Sequence, residues 1–214
     1  MNHNETTIEQ YHSFKIASRL SWLYFCVAFP AAWFIPEWVS WENGPLEMAQ
    51  NIVLFSGIIL SLYFFCSSKK LPKRLHYLWL AIAGYFLILL GRELSWGRVF
   101  FPRHITEHGP TFIAMHEVPH YLLILGGITT IILIILITLT FLIPWKQIFL
   151  EIPFPKSAFI LLVFAIFFAS LGDKGVITGT VIDQSIEEML ELLVYFLNEY
   201  FLCWYYILGI QHNI

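Results

Sequence analysis

Six apolar runs, at about residues 19–36, 47–66, 77–95, 119–143, 158–172 and 186–210, constrain this chain more than any motif in it. Each comes near the roughly 20 residues that a helix needs to cross the hydrocarbon core, the fifth being the shortest. With 58% of residues apolar, 13% charged and a mean hydropathy of +0.69, the chain lies outside the range of ordinary water-soluble domains. In lipid every backbone polar group must be satisfied within the protein, and helices do this for themselves. The fold class expected is therefore all-α, a polytopic transmembrane bundle of about six spans, forming one domain over residues 1–214. The linkers are too short for a separate soluble unit.

Basic residues orient the bundle. Six spans put Lys15, Arg19, Lys69, Lys70, Lys73, Arg74, Lys146 and Lys156 on one side, and Arg92, Arg98, Arg103 and Lys174 on the other. The positive-inside rule then places both termini and the "SSKKLPKRLH" loop in the cytoplasm, in an inner membrane of bacterial type. The polar first 18 residues, with Glu5 and Glu9, lead into a span without a cleavage context, so an uncleaved first helix is expected. Cys26, Cys66 and Cys203 lie in or beside spans at no metal-ligand spacing.

The acids are lopsided on this map. Glu37, Glu42, Glu47, Glu93, Glu107, Glu117, Asp173, Asp183, Glu187, Glu188 and Glu191 all fall on or just inside the outer face, with His104, His108, His116 and His120. The ends of all six spans thus contribute to one polar layer. In "GRELSWGR", residues 91–98, Arg92 and Glu93 close the third span without a turn residue before them, and at that depth they need partners. Glu47, Glu188 and Glu191 are available. Glu47 and Asn51 share a helical face, and Gln184, Glu188, Glu191, Tyr195 and Asn198 recur every three or four residues, a stripe that should face the bundle interior or a wet cavity. End charges of this kind also serve as caps and salt bridges between helices, which is the plainer reading of Arg92 and Glu93.

His116 and His120 are four residues apart, and a helix beginning at 116–118 would tolerate Pro119 and set both imidazoles on one face. With Asp173 and Glu191 they form the expected metal-ligand set, a His/His/carboxylate site for a divalent cation, zinc first, with an open water position. Glu47, Glu93 and Glu188 are the expected catalytic carboxyls; Arg92, Asn51 and Trp96 are the expected substrate contacts. Residues 97–115 and the Gly-rich stretch 172–185 have the length of lids, or of segments lying on the bilayer. "ENGPLEMAQNIVLF" and "DQSIEEMLELLVYF" echo one another, aligning Glu42 with Asp183 and Glu47 with Glu188.

The "ENGPLE" step at 42–47 and the "RELSWGR" helix end at 92–98 resemble a group of uncharacterised bacterial polytopic membrane proteins with an E-[DN]-G-x-x-E step and an E-[EL]-S-W-G-[QR] end. The resemblance covers the second and third spans and, more weakly, the acidic start of the sixth, and it implies no catalytic residues. Arg92 stands where the group often has a second acid, and Arg98 where it often has Gln. "SWENGPLEMAQN" is also faintly similar to membrane hydrolases of the alkaline-ceramidase type, but that family's seven spans and three-histidine zinc site have no counterpart here.

Three function classes follow. The first is a metal-assisted hydrolase or transferase acting on a lipid-like substrate from the bilayer. The second is a proton- or cation-coupled carrier of small solutes, although carriers usually bind near the midplane on broken helices. The third is a non-catalytic subunit docking a membrane or periplasmic protein. No nucleic-acid partner is expected.

Overall fold

The computed structural model describes residues 3–68, 73–106, 109–143 and 145–211. Seven α-helices account for most of them: α1 (His3–Ala32), α2 (Pro45–Ser67), α3 (Lys73–Glu93), α4 (Tyr121–Ile137), α5 (Trp145–Glu151), α6 (Lys156–Asp173) and α7 (Ile182–Gln211). Three segments are long and apolar enough to cross a membrane: α2, α6, and α4 taken with the π-helical turn Thr138–Leu142 that continues it. Part of the "SSKKLPKRLH" loop, residues 69–72, lies outside the described residues, as do Glu107 and His108.

Two departures from the sequence expectation are local. Residues 97–115 contain a small antiparallel hairpin, β1 (Pro102–Thr106) with β2 (Gly109–Phe112), so the fold is not wholly helical. Helix α5 occupies what sequence alone reads as a linker, its Ile148 buried against α3, α6 and α7. A two-turn helix is too short to announce itself by periodicity, and packing holds it in place.

The long helix α7 is the hub. It packs against α6, α2 and α1, while α3 packs on α2 and α4 on α3. Gln50 of α2 bonds Glu188 of α7 and Ser56 of α2 bonds Glu199, so the two helices run parallel, as the echo between their N-terminal stretches requires. Small residues let the helices approach closely. Ala158, Ala165, Ala169 and Gly172 form, with Leu161, the buried stripe of α6, and a Cβ on Gly172 would come within 2.8 Å of the Asp183 carbonyl. Between α2 and α3, the hydrogen side of Gly57 faces the fully buried ring of Phe86. The outer surface is apolar: Leu122, Leu123, Leu125, Ile134, Ile137 and Phe141 of the α4 segment are all more than half exposed, as suits a helix facing lipid.

Candidate functional site

The residues "GRELSWGR" do their first work at a helix end. After Glu93 the backbone enters positive φ at Ser95, Trp96 and Gly97 (42°, 54° and 93°), which reverses the chain and lays the Trp96 indole on Gly91. A Cβ at Gly91 would sit 2.3 Å from that ring, so glycine is required there. Trp96, expected as a substrate contact, thus closes the end of α3. The reversal also brings Arg98 back to Glu42, with 3.2 Å between Nη2 and Oε1, tying the start of α2 to the end of α3.

Glu47 stands in the first turn of α2, after Gly44 and Pro45, where its buried carboxylate accepts the Asn43 N–H. A carboxylate there satisfies a donor left unpaired by the helix start and complements the helix dipole. One turn on, the Gln50 amide donates to both the main-chain carbonyl and a carboxylate oxygen of Glu188, each at 2.8 Å. Gln50 Oε1 and Asn51 Oδ1 are buried without a partner. Gln50 and Glu188 therefore bridge α2 and α7, with Glu47 one turn earlier on α2.

A second group gathers on the neighbouring face of α7. Arg92 Nη2 lies 2.6 Å from Glu191 Oε1, 2.9 Å from the Tyr195 hydroxyl and 2.9 Å from Glu93 Oε1. The Tyr195 hydroxyl in turn donates to Glu93 Oε1 at 2.5 Å. Glu93 and Tyr195 are buried, whereas the Arg92 side chain is 55% exposed. It borders a cavity of about 480 Å³ that is also lined by Tyr85 and Leu89 of α3, Ile166, Ser170 and Asp173 of α6, and Glu187, Glu191, Val194 and Tyr195 of α7. Asp173 and Glu187 have no hydrogen-bond or ion-pair partner among the described residues.

This cavity meets a second one at Tyr85. The second, of about 370 Å³, has a nearly apolar lining from α3 (Leu78, Ile82, Phe86), Leu139, α5, α6 (Phe159, Leu162) and α7 (Phe201, Leu202, Tyr205), with Asn198 at its polar end. Asn198 Oδ1 accepts a long hydrogen bond, 3.4 Å, from the Tyr85 hydroxyl. The two cavities share Tyr85 and lie along the cleft left between α3 and α6, which do not pack on each other as the neighbouring pairs do.

The expected metal-ligand set is not assembled. Among the described residues no group of three or more His, Cys, Asp and Glu side chains could hold a metal ion. The reason lies at Pro119, which disfavours helical geometry in the residue before it. Val118 is extended, with ψ 132°, so a short 3₁₀ turn, Met115–Glu117, precedes the break. His120 has left-handed φ 61°, α4 begins only at Tyr121, and His116 and His120 end up exposed without sharing a helical face. Asp173 and Glu191 line the cleft instead. These residues do not fit the zinc site that their spacing suggests.

Outside the cavity linings, two carboxylates have evident structural duties. Glu117 accepts the Ala114 N–H and pairs with Arg103 at 2.5 Å, which together hold its carboxyl below the usual range. Asp183, ahead of the apolar part of α7, is buried, which by itself would raise its pKa. Hydrogen bonds from the Thr178 hydroxyl, the Thr178 N–H and the Gly179 N–H outweigh that and hold the carboxyl below its ordinary value. They shape the Gly-rich 172–185 segment as a built turn.

No protein-family model, curated protein or solved structure matches this chain. The site is read from its own geometry. Of the residues singled out in sequence, Arg92, Glu93, Asp173 and Glu191 come together; Glu188 turns to Gln50 between α2 and α7, with Glu47 one turn earlier on α2; His116 and His120 do not join them. Sequence reasoning gave Tyr85 and Gln50 no place, and placed Tyr195 only in the polar stripe of α7 and Glu187 only in the outer polar layer. The helical period carried a signal for three of them: Glu187 and Tyr195 flank Glu191 four residues either side, and Tyr85, Leu89 and Arg92 follow the same spacing on α3.

Proposed function

We propose that this chain is a multi-pass inner-membrane protein of six spans, with cytoplasmic termini, whose outward-facing polar cavity hydrolyses or transfers a group on a lipid-like substrate. The observation that carries this reading is the junction at Tyr85 of a carboxylate-rich cavity with an apolar one, which together suit a polar head and a hydrocarbon tail. Glu187 and Asp173, lacking partners, are the groups able to take a proton from an attacking water or hydroxyl and return it to the leaving group. Arg92, held by Glu93, Glu191 and Tyr195, presents a fixed positive charge to negative charge developing on the substrate. Expression in a host cell followed by mass spectrometry of its lipids tests the proposal. Wild-type protein should change the abundance of particular lipids and Glu187→Gln should not, with both recovered folded. Identical lipid profiles would overturn it.

One observation favours a second reading, a proton- or cation-coupled carrier. The α2–α7 seam sets carboxylates at two depths, Glu188 bonded by Gln50 and Glu199 bonded by Ser56, about 16 Å apart along α7 at 1.5 Å per residue. In proteoliposomes, a carrier would acidify or alkalinise the lumen when solute is added, and Glu188→Gln and Glu199→Gln would each abolish that response.

A further inference from the structure

We infer that the cleft between α3 and α6 binds an amphiphile with a protonated amine head group, the ammonium lying among Asp173, Glu187 and Glu191 and one alkyl chain running beside Tyr85 into the apolar cavity. This names the substrate class of the site proposed above and rests on that reading for its role in catalysis. Its physical basis is independent.

Charge is the first argument. The polar cavity is lined by three carboxyls, Asp173, Glu187 and Glu191, against one cation, Arg92. That cation is already engaged by Glu191, Glu93 and the Tyr195 hydroxyl. Glu93 adds a further carboxyl behind it, so an anionic head group would enter a region already rich in negative charge and find Nε and Nη2 of the guanidinium already engaged. An ammonium brings what the cavity lacks: one positive charge and three N–H donors, for Asp173 and Glu187, which have no partners among the described residues, and for the Ser170 hydroxyl beside them. Next to lipid, where unpaired charge is costly, such complementarity weighs more than it would in water.

Continuity is the second. Each wall supplies successive turns of one helix, Leu78, Ile82, Tyr85, Leu89 and Arg92 from α3 and Phe159, Leu162, Ile166, Ser170 and Asp173 from α6, in antiparallel order over the face of α7 that runs from Glu187 to Tyr205. The 18 rises from Glu187 to Tyr205 span about 27 Å, close to the roughly 30 Å of hydrocarbon in a bilayer. Polarity changes once along this length: carboxylates at one end, Tyr85 and Asn198 at the crossing, aliphatic and aromatic side chains beyond. Each cavity is within the roughly 300–1,000 Å³ range of small-molecule sites.

The test is binding, read by native mass spectrometry of the detergent-purified full chain, with hexadecylamine, hexadecanol and hexadecyl phosphate as probes. The amine should bind saturably and at least about tenfold more tightly than the phosphate. Asp173→Asn/Glu187→Gln, or Glu187→Gln alone should the double variant not fold, should remove most of that preference while leaving hexadecanol unchanged. Leu162→Trp, which fills the apolar cavity, should weaken all three probes. Equal or tighter binding of the phosphate, or unchanged amine preference in the carboxamide variants, would overturn the inference. Amine selectivity with a cellular lipid profile indifferent to Glu187→Gln would keep this binding site and overturn the enzymatic reading. A Glu187-dependent lipid profile without amine selectivity would do the reverse.

Discussion

Replacing Tyr195 by Phe removes one oxygen atom from the centre of the Arg92 cluster and changes little else, so its cost isolates a single buried interaction. The ring is 2% exposed and its hydroxyl donates to a Glu93 side chain that is 7% exposed. The partners left to Glu93 are Arg92 Nε at 3.1 Å and Nη2 at 2.9 Å, on a side chain that is mostly in the open cavity. Hydrogen bonds between membrane helices average about 0.6 kcal/mol and reach about 1.7. A charged acceptor left short of a buried donor raises the cost into the range of about 1.5–3 kcal/mol. We expect about 2 kcal/mol for Tyr195→Phe, roughly a thirtyfold fall in the folding equilibrium constant. By contrast, Glu191→Gln weakens only the pair with the half-exposed Arg92 and should cost less than about 1 kcal/mol. Equilibrium unfolding in mixed detergent micelles measures both. A Tyr195→Phe cost below about 0.5 kcal/mol, or one no larger than that of Glu191→Gln, would refute the claim that the Tyr195–Glu93 bond, and not the visible Arg92–Glu191 pair, holds this end of the bundle.

Glycines divide by what they face. A methyl on Gly57 would lie 2.6 Å from the immobile Phe86 ring, so Gly57→Ala should destabilise by about 1–3 kcal/mol of overpacking, less the roughly 1 kcal/mol of helix propensity gained. Gly126 and Gly127 have nothing within 4 Å, and alanine there should be neutral or stabilising by up to about 1 kcal/mol each in the same unfolding experiment. For Asp183, whose folded carboxyl titrates below its ordinary 3.8, the unfolded chain takes up the proton first as acid is added. Its contribution is complete above about pH 4 and lost as pH falls through the folded value, so the wild-type advantage over Asp183→Asn should shrink below that point. An advantage that stayed constant down to the lowest accessible pH would contradict the hydrogen-bonded turn.

The apolar runs alone determined that the chain is mostly helical, with helices long and apolar enough to cross a membrane, because hydropathy and helical period are local properties that survive without knowledge of neighbours. They also put Arg92, Glu93, Asp173 and Glu191 at helix ends, and in the structure these four side chains lie near one another. What they left open was which face of α7 each acid takes. Glu187 and Glu191 turn to the cleft and Glu188 to α2, a difference of one residue, about 100° of rotation, that only the packing of α2 and α6 on α7 decides. The histidines show the opposite case. Their i, i+4 spacing is a local pattern, but Pro119 between them broke the helix it presupposed, and no short-range signal placed their side chains against a carboxylate. The cleft itself is a tertiary fact: it exists because α3 leans on α2 and α6 on α7 while α3 and α6 stand apart, an arrangement of surfaces that no single helix encodes.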